Sequence, residues 1–185
     1  MPAAPQRIVR AIEALAVSPD HHVLEIGGGP GVSAGLICGI LAGGPGRYLG
    51  LDRSATATQR ARERNAAHVS AGRAKFETRD VCAASLAPAA FDRILAVNVN
   101  VFWRNPEGPA FGRLHAALKP DGMLLLAFEG VSADPEPLRR RAVLLSEGLE
   151  RNLFESIQTG WQTDGPRPQL HVVAERGGRA RTRVI

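Results

Sequence analysis

Apolar residues along this chain fall into two rhythms. Short segments rich in apolar residues that read as strands stand at residues 23–26, 47–52, 75–78, 91–97 and 122–126. Between them apolar positions return every three or four residues. Ile8, Val9, Ile12, Leu15 and Ala16 predict a short first helix that stops at Ser18-Pro19-Asp20, and further helices are expected at about 32–41, 55–70 and 109–118. Strands that alternate with helices predict an α/β class, a doubly wound parallel sheet whose ligands sit at the strand C-terminal ends. Farther on, 135–153 reads as a helix with Leu138, Val143, Leu144, Leu145 and Leu149 as its apolar face. Two closing strands at 154–161 and 169–174 are expected, with Gly165-Pro166-Arg167-Pro168 as the turn between them.

The first strand carries an acid into a glycine turn: Val23-Leu24-Glu25-Ile26-Gly27-Gly28-Gly29-Pro30-Gly31. Glycines here permit positive φ and let a ligand approach the backbone. A dinucleotide fingerprint, G-x-G-x-x-G, would need its third glycine where Val32 stands. The frame that fits is G-x-G-x-G at Gly27, Gly29 and Gly31, two residues after Glu25. A carboxylate beside the turn suits a ligand with a cationic end better than one with two phosphates.

This segment resembles the first motif of the class I S-adenosylmethionine-dependent methyltransferases, and later segments match the family in order. Asp52 ends the second strand where the family holds both ribose hydroxyls, and Asp80-Val81 follow the third where it grips the adenine edge. The resemblance implies a Rossmann-like, mostly parallel seven-stranded sheet with helices on both faces and an antiparallel last strand. It implies S-adenosyl-L-methionine as cofactor, bound by Glu25, Gly27, Gly28, Gly29, Gly31, Asp52, Arg53, Asp80, Val81 and Asn98. Glu25 is expected to face the cofactor's methionine end, directly or through water, where a carboxylate complements an ammonium. One domain is expected over residues 21–175, preceded by a helix or lid at 1–20 and followed by a basic, disordered tail at 176–185.

Methyl transfer from a sulfonium needs mainly positioning, because the donor is already activated. No general base is assigned: none of the five histidines stands at an expected strand end. The fourth strand ends in Asn98-Val99-Asn100-Val101-Phe102-Trp103, without the prolines and tyrosine of the nucleic-acid amino-methyltransferases, and looks more like the small-molecule enzymes. Asn98 and Asn100 are candidates to orient an acceptor, Phe102 and Trp103 to close over it, and Glu129 to act as acid or base. The acids that a metal-dependent catechol-type enzyme would need are missing from this strand end, so no metal is expected. Cys38 and Cys82 lack partners at ligand spacing and read as packing residues.

Composition adjusts this picture only at its edges. With 185 residues, 44% of them hydrophobic, the chain suits one α/β domain. No apolar stretch is long enough to span a bilayer, and the first residues lack a signal-like run, so a soluble cytoplasmic protein is expected. Net charge is +5, and only Lys75 and Lys119 are lysines. The charge is scattered except at Arg176, Arg179, Arg181 and Arg183, which argues against a nucleic-acid partner; the small-molecule acceptor rests on the resemblance at the fourth-strand end. Two alternatives stay open: a cofactor-binding protein without turnover, and an RNA or protein methyltransferase using the basic tail.

Overall fold

Seven strands form one sheet in the order β3-β2-β1-β4-β5-β7-β6. The computed structural model describes residues 4–163 and 165–177. The strands are β1 (His22–Ile26), β2 (Arg47–Asp52), β3 (Ala74–Thr78), β4 (Phe91–Val97), β5 (Leu118–Glu129), β6 (Phe154–Gln162) and β7 (Gln169–Arg176). The first five run parallel, and β7 is antiparallel to both neighbours. Chain order reverses between β1 and β4, and a doubly wound sheet opens its ligand crevice at that reversal.

Helices cover both faces because both are apolar. On one side α1 (Gln6–Leu15), α2 (Val32–Leu41) and α3 (Ala55–Arg64) pack over Val23, Leu95, Leu125 and Ala127. On the other, α5 (Val101–Arg104), α6 (Ala110–Ala117) and α7 (Glu136–Arg151) pack over Leu24, Ile26, Ile94, Leu124 and Leu126. Ala11, Ile12 and Leu15 are buried, so α1 is part of its layer rather than a loose cover.

The structure corrects several sequence expectations. The helix expected at 55–70 is broken into α3 and α4 (Ala66–Ser70) at Asn65. Its buried amide donates to the carbonyls of Gly31 and Ala61, both at 2.9 Å, tying the break to the glycine turn. The loop after β4 winds into α5. On α7 the buried face is Leu138, Ala142, Leu145 and Leu149, while Val143 and Leu144 are exposed, since only the former spacing keeps to one helical stripe. Arg176, expected in the tail, ends β7 and donates to the carbonyls of Ala116 and Leu118. Residues 178–185 of the expected tail lie outside the described residues. Among the described residues no helix is long and apolar enough to cross a membrane.

Candidate active site

At the reversal point the strand ends surround a cavity of about 430 Å³, lined by Ile26, Gly27, Asp52, Arg53, Asp80, Val81 and the stretch from Val97 to Val101. The glycine turn closes one end. Gly27 donates its N–H to the Leu51 carbonyl at 2.7 Å, and a Cβ on Gly27 would come within 2.6 Å of Val99 Cγ2. Its φ of +69° also disfavours any side chain. Backbone thus forms the floor of the cavity here.

Asp52 is placed by β2 and held at both oxygens: Oδ2 accepts from Gly29 N–H at 3.0 Å and Oδ1 from Ser54 N–H at 2.8 Å. A carboxylate has about four acceptor sites, so two remain for a ligand's hydroxyls. Ser54, not Asp52, caps α3, through Ala57 N–H. Asp80 is exposed and accepts from Cys82 N–H at 2.7 Å, while Val81 is buried in the wall. Gly28 and Gly29 border a narrow crevice beside Asp52, and Gly31 is buried against Asn65.

Glu25 is elsewhere. Its side chain is 2% exposed and lies beneath the turn, where Ser33 Oγ and Tyr48 Oη each donate to it at 2.5 Å. Burial pushes its carboxyl above the ordinary range against the pull of those hydroxyls, and the Asp52 charge adds to the rise. Of the two expected ways of meeting a ligand's amine, directly or through water, this burial disfavours the direct one, and Glu25 braces the turn from one layer down. A Cβ on Gly28 would sit 3.3 Å from this carboxyl, so turn and brace are in contact. Tyr48 reaches Glu25 because Gly50 lies opposite: a Cβ there would be 3.0 Å from the Tyr48 hydroxyl and 2.9 Å from the Phe76 ring.

The acceptor candidates divide. Asn98, at φ +57°, donates its N–H to the Ala127 carbonyl and accepts from Glu129 N–H at 2.9 Å, locking the end of β4 to β5. Asn98 and Asn100 both line the cavity. Phe102 does not: it is fully buried, with its ring 5.2 Å from Phe111 in the core. Trp103 is half-buried at the junction of α5 with α7, and its indole N–H donates to Asn100 Oδ1 at 3.1 Å. Glu129 pairs with Arg7 of α1 at 3.6 Å and is outside the cavity wall. Arg104 and Arg79, which the sequence reading did not single out, stand in that wall. Among the described residues no His, Cys, Asp and Glu side chains gather in groups of three or more to hold a metal. Burial pushes the Cys38 thiol up to about 12, which leaves it inert.

This strand order, with an acid at the end of β2 and a glycine turn after β1, defines a class I S-adenosylmethionine-dependent methyltransferase fold. The methyltransferase domain family matches residues 23–122, and the chain belongs to it. It is 32% identical over 127 residues to trans-aconitate 2-methyltransferase of Paracidovorax citrulli, covering 69% of this chain and 46% of that protein. Among solved structures, the fold is similar to Haemonchus contortus phosphoethanolamine N-methyltransferase 2 in complex with S-adenosyl-L-methionine. That likeness has a TM-score of 0.73 at 16% identity, over 92% of this chain and 52% of the other. It is also similar to the [4+2]-cyclase SpnF, with a TM-score of 0.72 at 17% identity over 92% and 80% of the two chains. The chain spans about half the length of the first two relatives.

Proposed function

We propose that the protein binds S-adenosyl-L-methionine and transfers its methyl group to a small-molecule acceptor by in-line displacement. The observation that carries this reading is the cavity itself, whose wall brings Gly27, Asp52, Asp80 with Val81, and Asn98 together from four separate segments. The donor set fits the cofactor: an acid with spare acceptor sites for a ribose, a backbone N–H after an acid for a purine edge, and a side-chain-free turn for the methionine end. Gly27 to Gly31 would seat that end, Asp52 the ribose, Asp80 and Val81 the adenine, and Arg53 would cover it. The bound cofactor supplies a sulfonium-activated methyl group. The chain's part is then to exclude water and align the acceptor, which is where most of the acceleration arises. Asn98, whose Oδ1 is engaged by Glu129 N–H, has no partner on its amide nitrogen among the described residues and could offer it to a ligand, and Asn100 is beside it in the wall.

A small acceptor is supported by the activity for which the trans-aconitate 2-methyltransferase relative is named. The competing reading, a cofactor-binding protein that does not methylate, has one specific support: the fold also serves a cyclase. Calorimetric titration with S-adenosylhomocysteine tests the cavity assignment. Release of S-adenosylhomocysteine from S-adenosylmethionine in the presence of pooled small molecules tests turnover. Absence of uptake by folded protein removes the proposal, and uptake without any turnover favours the competitor.

A further inference from the structure

The junction between α5 and α7 concentrates positive charge that cofactor binding leaves unused. The ring of Trp103 has the guanidinium carbon of Arg141 at 4.5 Å from its centroid and that of Arg104 at 5.3 Å. Both charges thus lie within about one Debye length of each other at ordinary salt (roughly 10 Å) and repel. The indole offsets part of this through its π face. Neighbouring carboxylates do not: Glu136 pairs with Arg139 and Arg140, and Glu107 and Glu147 pair with Arg151. Among the described residues neither Arg104 nor Arg141 has a carboxylate within ion-pair distance.

This spot adjoins the reaction space. Arg104 and Asn100 both line the cavity, and the Trp103 indole N–H donates to Asn100, which joins the ring to the cavity wall. We infer that Arg104 and Arg141, set around Trp103, form an anion subsite that takes a carboxylate of the methyl acceptor. The placement of that carboxylate beside a methyl donor rests on the function proposed above; its binding does not.

The electrostatics favour such a partner. S-adenosylmethionine carries a sulfonium, an ammonium and a carboxylate, a net positive charge, and two further guanidiniums at the acceptor side raise the local potential. A neutral acceptor gains nothing from that field, and a cationic one is repelled, so an acid is selected. Guanidinium forks match a carboxylate in shape, and their hydrogen bonds to it are the stronger, charge-assisted kind. Trp103 is therefore a positioning residue that holds two arginines for an acid, instead of the cover over the acceptor that its sequence position suggested.

Citrate serves as the probe, with trimethyl citrate as its neutral counterpart and inorganic phosphate as the competing anion. All are titrated at constant ionic strength in the presence of S-adenosylhomocysteine. The indole N–H resonance of Trp103 is the readout; the chain has two tryptophans, and Trp161→Phe identifies the signal. Citrate should shift it saturably, and trimethyl citrate should leave it in place. Arg141→Gln and Arg104→Gln should each weaken citrate binding by about tenfold or more. Because Arg141 is outside the cavity wall, Arg141→Gln should leave the affinity for S-adenosylhomocysteine as it was. Equal shifts from the ester, citrate affinity indifferent to both substitutions, or tighter binding of phosphate than of citrate would each overturn the subsite. Citrate binding as expected in a protein that takes up no S-adenosylhomocysteine would keep the subsite and remove the methyl-transfer reading.

Discussion

Tyr48 Oη donates to Glu25 Oε2 at 2.5 Å, inside the protein and directly under Gly28. Ser33 of α2 holds the other carboxyl oxygen, so one side chain joins β1, β2 and α2 where the turn begins. Tyr48→Phe removes a donor from this buried group without leaving a large cavity. It should cost about 1–3 kcal/mol of stability, the usual effect of leaving a buried polar atom unsatisfied. Cofactor affinity should fall with it, because the turn rests on the brace. Urea denaturation and calorimetry on the same variant check both; unchanged stability would show that the hydroxyl contributes nothing there.

The same carboxyl should make stability depend on pH. Burial holds its folded-state value above the ordinary 4.5, so the native protein favours the protonated form more than the unfolded chain does. The resulting stabilisation is complete below the unfolded value and is lost as pH rises through the folded one. Glu25→Gln keeps shape and removes the proton equilibrium. Denaturation midpoints measured from about pH 4 to 8 should fall less steeply for the variant than for the parent protein. Parallel curves would mean that the Glu25 carboxyl binds its proton equally well in the folded and unfolded chain.

Asp52 has two tasks that a single substitution can separate. It accepts from Gly29 and Ser54 N–H groups, and in the proposed site it also faces the ribose. Asp52→Asn preserves one carbonyl oxygen for the backbone but removes the charge and half of the acceptor sites. Losing charge-assisted bonds worth roughly 1.5–3 kcal/mol each should weaken S-adenosylhomocysteine binding tenfold or more, with a smaller loss of stability. Calorimetric affinity within twofold of the parent would take Asp52 out of the ribose site.

Much of this was legible in the chain. The apolar runs at Val23, Tyr48, Phe91 and Met123 announce buried strands because a sheet covered on both sides tolerates few polar residues. Asp52, Asp80 and Asn98 could be placed at the cavity because strand ends in a doubly wound sheet are where ligands sit. The burial of Glu25 was not foreseen, although strand parity held the clue: it shares a face with Val23, which packs against α1 and α2. Phe102 was misread because a four-residue helix leaves no periodicity to show which side turns inward. Asn65 was missed because the helical pattern runs through it, and only the fold brings it to Gly31. The approach of Arg104 and Arg141, 37 positions apart, to the same Trp103 ring has no local signal at all.

Asn65 and Gly31 make a lock whose two halves can be tested against each other. Gly31 sits at φ +76°, and a Cβ there would lie 2.6 Å from Asn65 Nδ2 and 2.9 Å from Ala61 Cβ. Gly31→Ala therefore suffers a left-handed backbone, about 1–2 kcal/mol, together with a collision. Asn65→Ala instead deprives the Gly31 carbonyl of its donor and frees space at the turn, at about 1–2 kcal/mol. In the double variant the collision with the amide is gone while the strained backbone and the contact with Ala61 persist. Its destabilisation should thus fall short of the sum of the two single changes, by the roughly 0.5–3 kcal/mol typical of residues in direct contact. A double-mutant cycle by denaturation measures this. Strict additivity would mean that the amide does not clasp the end of the turn.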